Sequence, residues 1–197
     1  MYIAIEGLDG SGGTTQLGLL GDAWRRRAPA KELLRTREPS DGPVGRLIRA
    51  QLAGGDLGDP VFPYLFAADR RDHLDRVVLP ALARGAVVLS DRCLLSSLAY
   101  QAPALGLPRV LALNEDFRLP DLILMLDLDP AVSLARVEAR GGVRDRFETL
   151  GVLTRVRQAY DQAIDAVIER GGRVARIDAS GTPAQVAAAV EEATWPS

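Results

Sequence analysis

"EGLDGSGGTTQ", residues 6–16, decides how this chain is read. A phosphate-binding loop follows the pattern Gly, four residues, Gly, Lys, then Ser or Thr. Gly7, Leu8, Asp9, Gly10, Ser11 and Gly12 follow it, and so does Thr14, but where the lysine belongs stands Gly13. The apolar run "YIAIE" (2–6) before the loop reads as a β-strand, and residues 14–28 after it read as a helix. In that order, backbone N–H groups and the positive end of the helix converge on phosphate oxygens. Thr15 belongs to the same turn, and the Thr14 hydroxyl is set to meet Mg²⁺. The missing lysine normally reaches the β- and γ-phosphates, so its loss removes a mobile charge and leaves the cradle. Three readings of Gly13 stay open. An arginine from elsewhere replaces the charge, the loop binds nucleotide with weak or no turnover, or Gly13 is an engineered or aberrant change.

Outward from the loop, short apolar runs alternate with amphipathic stretches. "ELLRT" (32–36), "AVVLS" (86–90), "DLILMLDL" (121–128) and "RVARID" (173–178) read as further strands. Helices are expected at 44–52, at 61–84 with a bend near Pro80, and from about Ser96 with an interruption around Pro103 to Pro108. More follow near 130–140, at 149–170 and at 183–194. Strands separated by helices imply an α/β fold whose parallel sheet is covered on both faces. Ligands in such sheets sit at the carboxyl ends of the strands. Residues 7–15, 37–39 and 91–97 fall there.

A chain of 197 residues suggests one domain, 1–197, with a sizeable core. The net charge of −2 gives no nucleic-acid footprint, and no apolar run approaches the ~20 residues of a membrane span. The start has neither a basic leader nor a cleavable apolar region, which points to a cytoplasmic protein. Cys93 and His73 are each alone of their kind, so no disulfide framework or two-histidine site is expected. His73 reads as a helix-surface or packing residue. Lys31 is the only lysine among 24 basic residues, so missing lysines are partly background composition.

Five stretches carry a resemblance: "IEGLDGSG" (5–12), "TREP" (36–39), "FAADRRDHLDRVVLPAL" (66–82), "VVLSDRCLLSSLAYQ" (87–101) and "PDLILMLDLDP" (120–130). Together they resemble the thymidylate kinase family, in the right order from residue 2 to about 178. The resemblance implies a three-layer α/β/α P-loop NTPase fold with a five-stranded parallel sheet and a lid at about 136–148. It implies ATP-dependent phosphorylation of dTMP to dTDP with Mg²⁺, usually by a homodimer.

The resemblance also implies roles, residue by residue. Arg92 and Arg49 would hold the acceptor phosphate, which suits the bidentate fork of arginine. Phe66 would stack on thymine and Arg70 would bond its carbonyl oxygen. The two are i and i+4 on one helix face. Ser97 and Gln101 would read the polar edge of the base, and Tyr100 would lie against the deoxyribose. Asp9 and Glu38 would sit near the 3′-hydroxyl, the acceptor phosphate and its metal, with Thr14 and Asp9 as metal residues. Tyr160 stands between a sugar contact and packing. Arg136, Arg140, Arg144 and Arg146 match the lid that closes over ATP. Because the loop itself has no arginine, the lid subgroup of the family fits, and Arg144 and Arg146 take the catalytic charge. Two positions depart from the family pattern: Gly13, and Cys93 where an aromatic residue usually follows the Asp-Arg pair.

Overall fold

The computed structural model describes residues 1–141 and 149–196. Strands β1 (Tyr2–Gly7), β2 (Leu33–Arg37), β3 (Val87–Asp91), β4 (Leu122–Asp127) and β5 (Val174–Asp178) form one sheet in the order β2-β3-β1-β4-β5. Every neighbouring pair is parallel. The central strands show no polar alternation because both faces are covered. Their residues divide by parity. Ala4, Ile123 and Met125 join the core under α5 (Leu94–Leu105) and α8 (Leu150–Glu169). Ile3, Ile5, Leu122, Leu124 and Leu126 join the core under α1 (Gly13–Arg27) and α9 (Pro183–Thr194). Each fully buried aliphatic side chain contributes about 1.5–3 kcal/mol, whereas an exposed ion pair gives about 0.2–1 kcal/mol. The two apolar layers therefore hold the sheet.

The elements fall within two residues of their expected bounds, apart from the broken helix at 61–84, and two of them are informative. The helix expected at 61–84 runs as α3 (Phe62–His73), a π-helical stretch Leu74–Val78, and α4 (Leu79–Ala83). The wider turn lies just before Pro80, whose ring would otherwise clash with the carbonyl four residues earlier. Helix α5 begins at Leu94, two residues before the expected Ser96. Its first turn is held by Glu6 of β1, which accepts from Cys93 N at 2.7 Å and Ser96 N at 3.0 Å. Gly106 ends α5, and α6 (Leu107–Ala112) follows. Helices α2 (Pro43–Leu52) and α7 (Pro130–Arg140) complete the frame around the strand ends.

Candidate active site

The loop of residues 7–12 leaves the end of β1 and opens α1 at Gly13. Gly10 has φ +87°, and a Cβ there would lie 2.5 Å from the Ser133 carbonyl oxygen, so only glycine fits. The Ser133 hydroxyl donates back to the Asp9 carbonyl. The first turn of α7 is thus locked against the loop. Gly7, Asp9, Gly10, Ser11, Gly12, Gly13, Thr14 and Thr15 all line one cleft of about 730 Å³. Glu38, Asp91, Arg92 and Arg136 line the same space.

Arg92 follows β3 with φ 72°, a left-handed backbone that a non-glycine residue rarely adopts. That turn brings its guanidinium onto three groups. It donates to Asp9 Oδ1 at 2.6 Å and Ser96 Oγ at 2.8 Å, and it lies 5.4 Å over the Tyr100 ring. Burial would lower its pKa, but Asp9 and the neighbouring tyrosines and Glu6 outweigh it and keep Arg92 charged. Tyr100 donates to the other Asp9 oxygen at 3.1 Å. Asp9 therefore orients Arg92. The carboxylate that meets the Thr14 hydroxyl is Asp91, at 2.7 Å. A hydroxyl and a carboxylate oxygen touching beside the cradle fit Mg²⁺, which takes hard oxygen ligands and keeps its waters and substrate phosphates as the rest.

Behind the cleft lies a buried polar network. Arg70, only 4% exposed, donates to Glu38 Oε2 at 2.9 Å, Asn114 Oδ1 at 2.5 Å, Ser97 Oγ at 2.9 Å and Cys93 O at 3.2 Å. Glu38 also meets His73 Nδ1 at 3.3 Å, and His73 Nε2 meets Thr36 Oγ1 at 2.6 Å. Burial raises the Glu38 carboxyl, but Arg70 and His73 more than offset it and hold it below the usual carboxylate range. His73 is accordingly not a surface residue. It is buried because α3 turns it towards β2 and Glu38.

The remaining expected residues are distributed as follows. Phe66 is half-buried one turn before Arg70 on α3. Gln101 and Tyr100 line a second cleft of about 330 Å³, and the buried Gln101 Oε1 accepts no hydrogen bond from the protein. Arg49 donates to Pro39 O and Ser40 O, both at 2.6 Å, and so braces the loop after Glu38. Arg136 donates through both terminal nitrogens to Ala179 O at 3.2 Å. Tyr160 is fully buried, with its hydroxyl 3.2 Å from Glu6 Oε2 and from Gly7 O, and it packs. Arg144 and Arg146 lie outside the described residues, as does the side chain of Arg140.

Three participants escaped the sequence reading: Glu6, Asn114 and the pairing of Asp91 with Thr14. Glu6 had a signal, a charged residue closing an otherwise apolar strand. Asn114 had none, because its contact with Arg70 spans 44 residues of sequence.

A phosphate cradle at one end of a cleft and a fixed, charged arginine at the other are what phosphoryl transfer between nucleotides requires. The sheet order and the loop's position on it put the chain among the P-loop nucleotide kinases. A family described as thymidylate kinase matches residues 5–190. A probable thymidylate kinase of Pyrobaculum aerophilum is 42% identical over 194 residues, covering 97% of this chain and 94% of the relative. Thymidylate kinases of Gluconobacter oxydans (41% over 211 residues, 100% and 95% covered) and of Xanthomonas campestris pv. campestris strain B100 (42% over 162 residues, 81% and 70% covered) are also similar. The chain belongs to the thymidylate kinase family.

Proposed function

We propose that this chain transfers the γ-phosphoryl group of ATP to dTMP, giving dTDP and ADP. The observation that carries the reading is the single cleft that joins the phosphate loop to Arg92 and Glu38. Donor and acceptor phosphates can meet within that one cleft. A dTMP phosphate oxygen forms the new bond to the γ-phosphorus. The bond from that phosphorus to the β–γ bridging oxygen breaks, and its electron pair leaves with ADP. The attacking oxygen is already anionic at neutral pH, so positioning and charge do the work.

Arg92 is the acceptor-phosphate residue in this account, with Asp9 and Tyr100 fixing its plane. Phe66 stacks on the base and Arg70 faces its carbonyl edge. The unsatisfied Gln101 Oε1 suits thymine, whose N3–H donates, over cytosine, whose N3 accepts. Thr14 and Asp91 would hold Mg²⁺, which when bound neutralises charge on the β- and γ-phosphates. The same proposal includes the segment 136–148 as a lid over ATP, with Arg140, Arg144 and Arg146 turned to the phosphates, a homodimer, and a cytoplasmic location. No described helix is long and apolar enough to cross a membrane.

Gly13 favours a second reading, a nucleotide-binding protein of low or no turnover. Calorimetry separates site assignment from rate. Phe66→Ala and Arg92→Ala should each weaken dTMP binding by about tenfold or more, as loss of a stacking or charged contact predicts. Wild-type affinity in either variant would remove that residue from the acceptor site.

A further inference from the structure

Gly13 leaves the inner end of the phosphate cradle without the charge such loops carry. We propose that Arg37, at the end of β2, supplies it by reaching the β- and γ-phosphates beside Asp91. The inference rests on reading the cleft as an ATP site.

Three arginines line the cleft among the described residues: Arg37, Arg92 and Arg136. Arg92 is committed to Asp9, Ser96 and Tyr100. Arg136 is tied to the Ala179 carbonyl. Arg37 is different in three respects. First, its direction is fixed by its strand. Arg35 donates to Gly18 O and to Asp22 Oδ1 of α1, each at 2.9 Å. Residues two apart on a strand share a face, so Arg37 leaves β2 on the α1 side as well. Helix α1 runs back from the carboxyl end of the sheet, so Arg37, further along β2, lies towards its beginning at Gly13 and Thr14.

Second, Arg37 is the register partner of Asp91, the residue whose carboxylate takes the Thr14 hydroxyl. A Cβ built on Gly13 would come 3.3 Å from Asp91 Oδ1. The space a lysine stem would enter therefore opens onto the same carboxylate that Arg37 flanks. Third, Arg37 can be released. Its partner is Asp41 at 2.6 Å, and the two side chains are 55% and 77% exposed. Such a pair is screened by water and yields to a multiply charged phosphate. Asp41 is not then abandoned, because Arg49 stands 3.3 Å away.

The test is a calorimetric titration of wild type, Arg37→Gln, Arg37→Lys, Gly13→Lys and the Gly13→Lys/Arg37→Gln pair with Mg·ATP and with AMP. Arg37→Gln should weaken ATP by about tenfold or more, the effect of losing one charge-assisted contact. AMP affinity should not change, since AMP has no β- or γ-phosphate. Arg37→Lys should recover most of the loss, and in the Gly13→Lys background the loss should shrink to less than about threefold, as coupled residues behave. Equal effects on ATP and AMP, no effect on ATP, or the same loss in both backgrounds would overturn the assignment. No ATP binding by wild type would overturn it together with the nucleotide reading. If the ATP pattern holds but dTMP elicits no ADP release, the kinase reading falls and Arg37 keeps its phosphate.

Discussion

Glu38 and Glu6 are both buried within a few ångströms of an arginine, yet their carboxyls move in opposite directions. Burial acts first on each and raises both. At Glu38 the Arg70 guanidinium and His73 overcome it, and the pKa ends below its ordinary value. At Glu6 burial outweighs Arg92 and the Ser96 hydrogen bonds, and the pKa stays raised. A lowered folded value means that ionised Glu38 stabilises the fold above the unfolded carboxylate value of about 4.3. That contribution is lost as pH falls through the folded value. Glu6 contributes in the reverse sense, fully below about 4.3 and less as pH rises through its own folded value. Glu38→Gln should therefore cost about 3–5 kcal/mol at pH 7, because Arg70 loses its buried partner. The deficit should close as pH drops well below about 4.3. Urea unfolding across pH 3–7 measures it, and a deficit independent of pH would refute the pairing. Gly13 gives a second prediction at this scale. Gly13→Lys needs only a few tenths of an ångström from the Asp91 side chain. It should raise kcat far more than it changes dTMP affinity, since a charge there acts on the transferring group. A changed dTMP affinity with unchanged kcat would contradict this. Motif singled out Phe66, Arg70, Arg92 and Ser97; the structure joins Arg70 to Ser97 and sets Arg92 in the cleft. For His73 the sequence left helix surface and packing both open, because the partners that decide for packing, Thr36 and Glu38, are 37 and 35 residues away.

Helix α5 illustrates what element boundaries owe to distant residues. Its first turn has no side-chain cap of its own. Glu6, 87 residues upstream of Cys93, supplies the acceptor, so local capping rules cannot find the start at Leu94. The opposite case is α9, whose Thr182–Gln185 capping box fixes its start at the expected Pro183. The π-helical stretch before Pro80 was legible only as a bend, because sequence spacing does not distinguish a wider turn from a kink. The contact between α7 and the phosphate loop yields a prediction about elements. Gly10→Ala forces a side chain into a left-handed backbone and against the Ser133 carbonyl. It should destabilise the protein by about 1–3 kcal/mol. It should also weaken ATP binding while sparing dTMP, whose proposed site lies on α3 and α5. Thermal unfolding and paired calorimetry check both parts. Unchanged ATP affinity would mean that α7 does not position the loop.

For the whole molecule, the parallel order of five strands brings three strand ends to one place. β1 delivers the phosphate cradle, β3 delivers Asp91 and Arg92, and β2 delivers Arg37 and Glu38. Apolar runs and turn signals made this sheet readable from the chain, because buried strands advertise themselves by composition. The buried network behind the cleft was less readable, since Arg70, Glu38, His73, Ser97 and Asn114 meet only after folding. With this hydrogen-bonded network behind the proposed acceptor site, the protein should discriminate among monophosphates even if turnover is slow. The most direct test is therefore coupled ADP release from Mg·ATP with dTMP, dUMP, dCMP, dAMP and dGMP supplied in turn. The account predicts release that depends on the monophosphate, highest kcat/KM with dTMP, and little with dCMP. Highest kcat/KM with another monophosphate, or no monophosphate-dependent release while dTMP and ATP both bind, would contradict it.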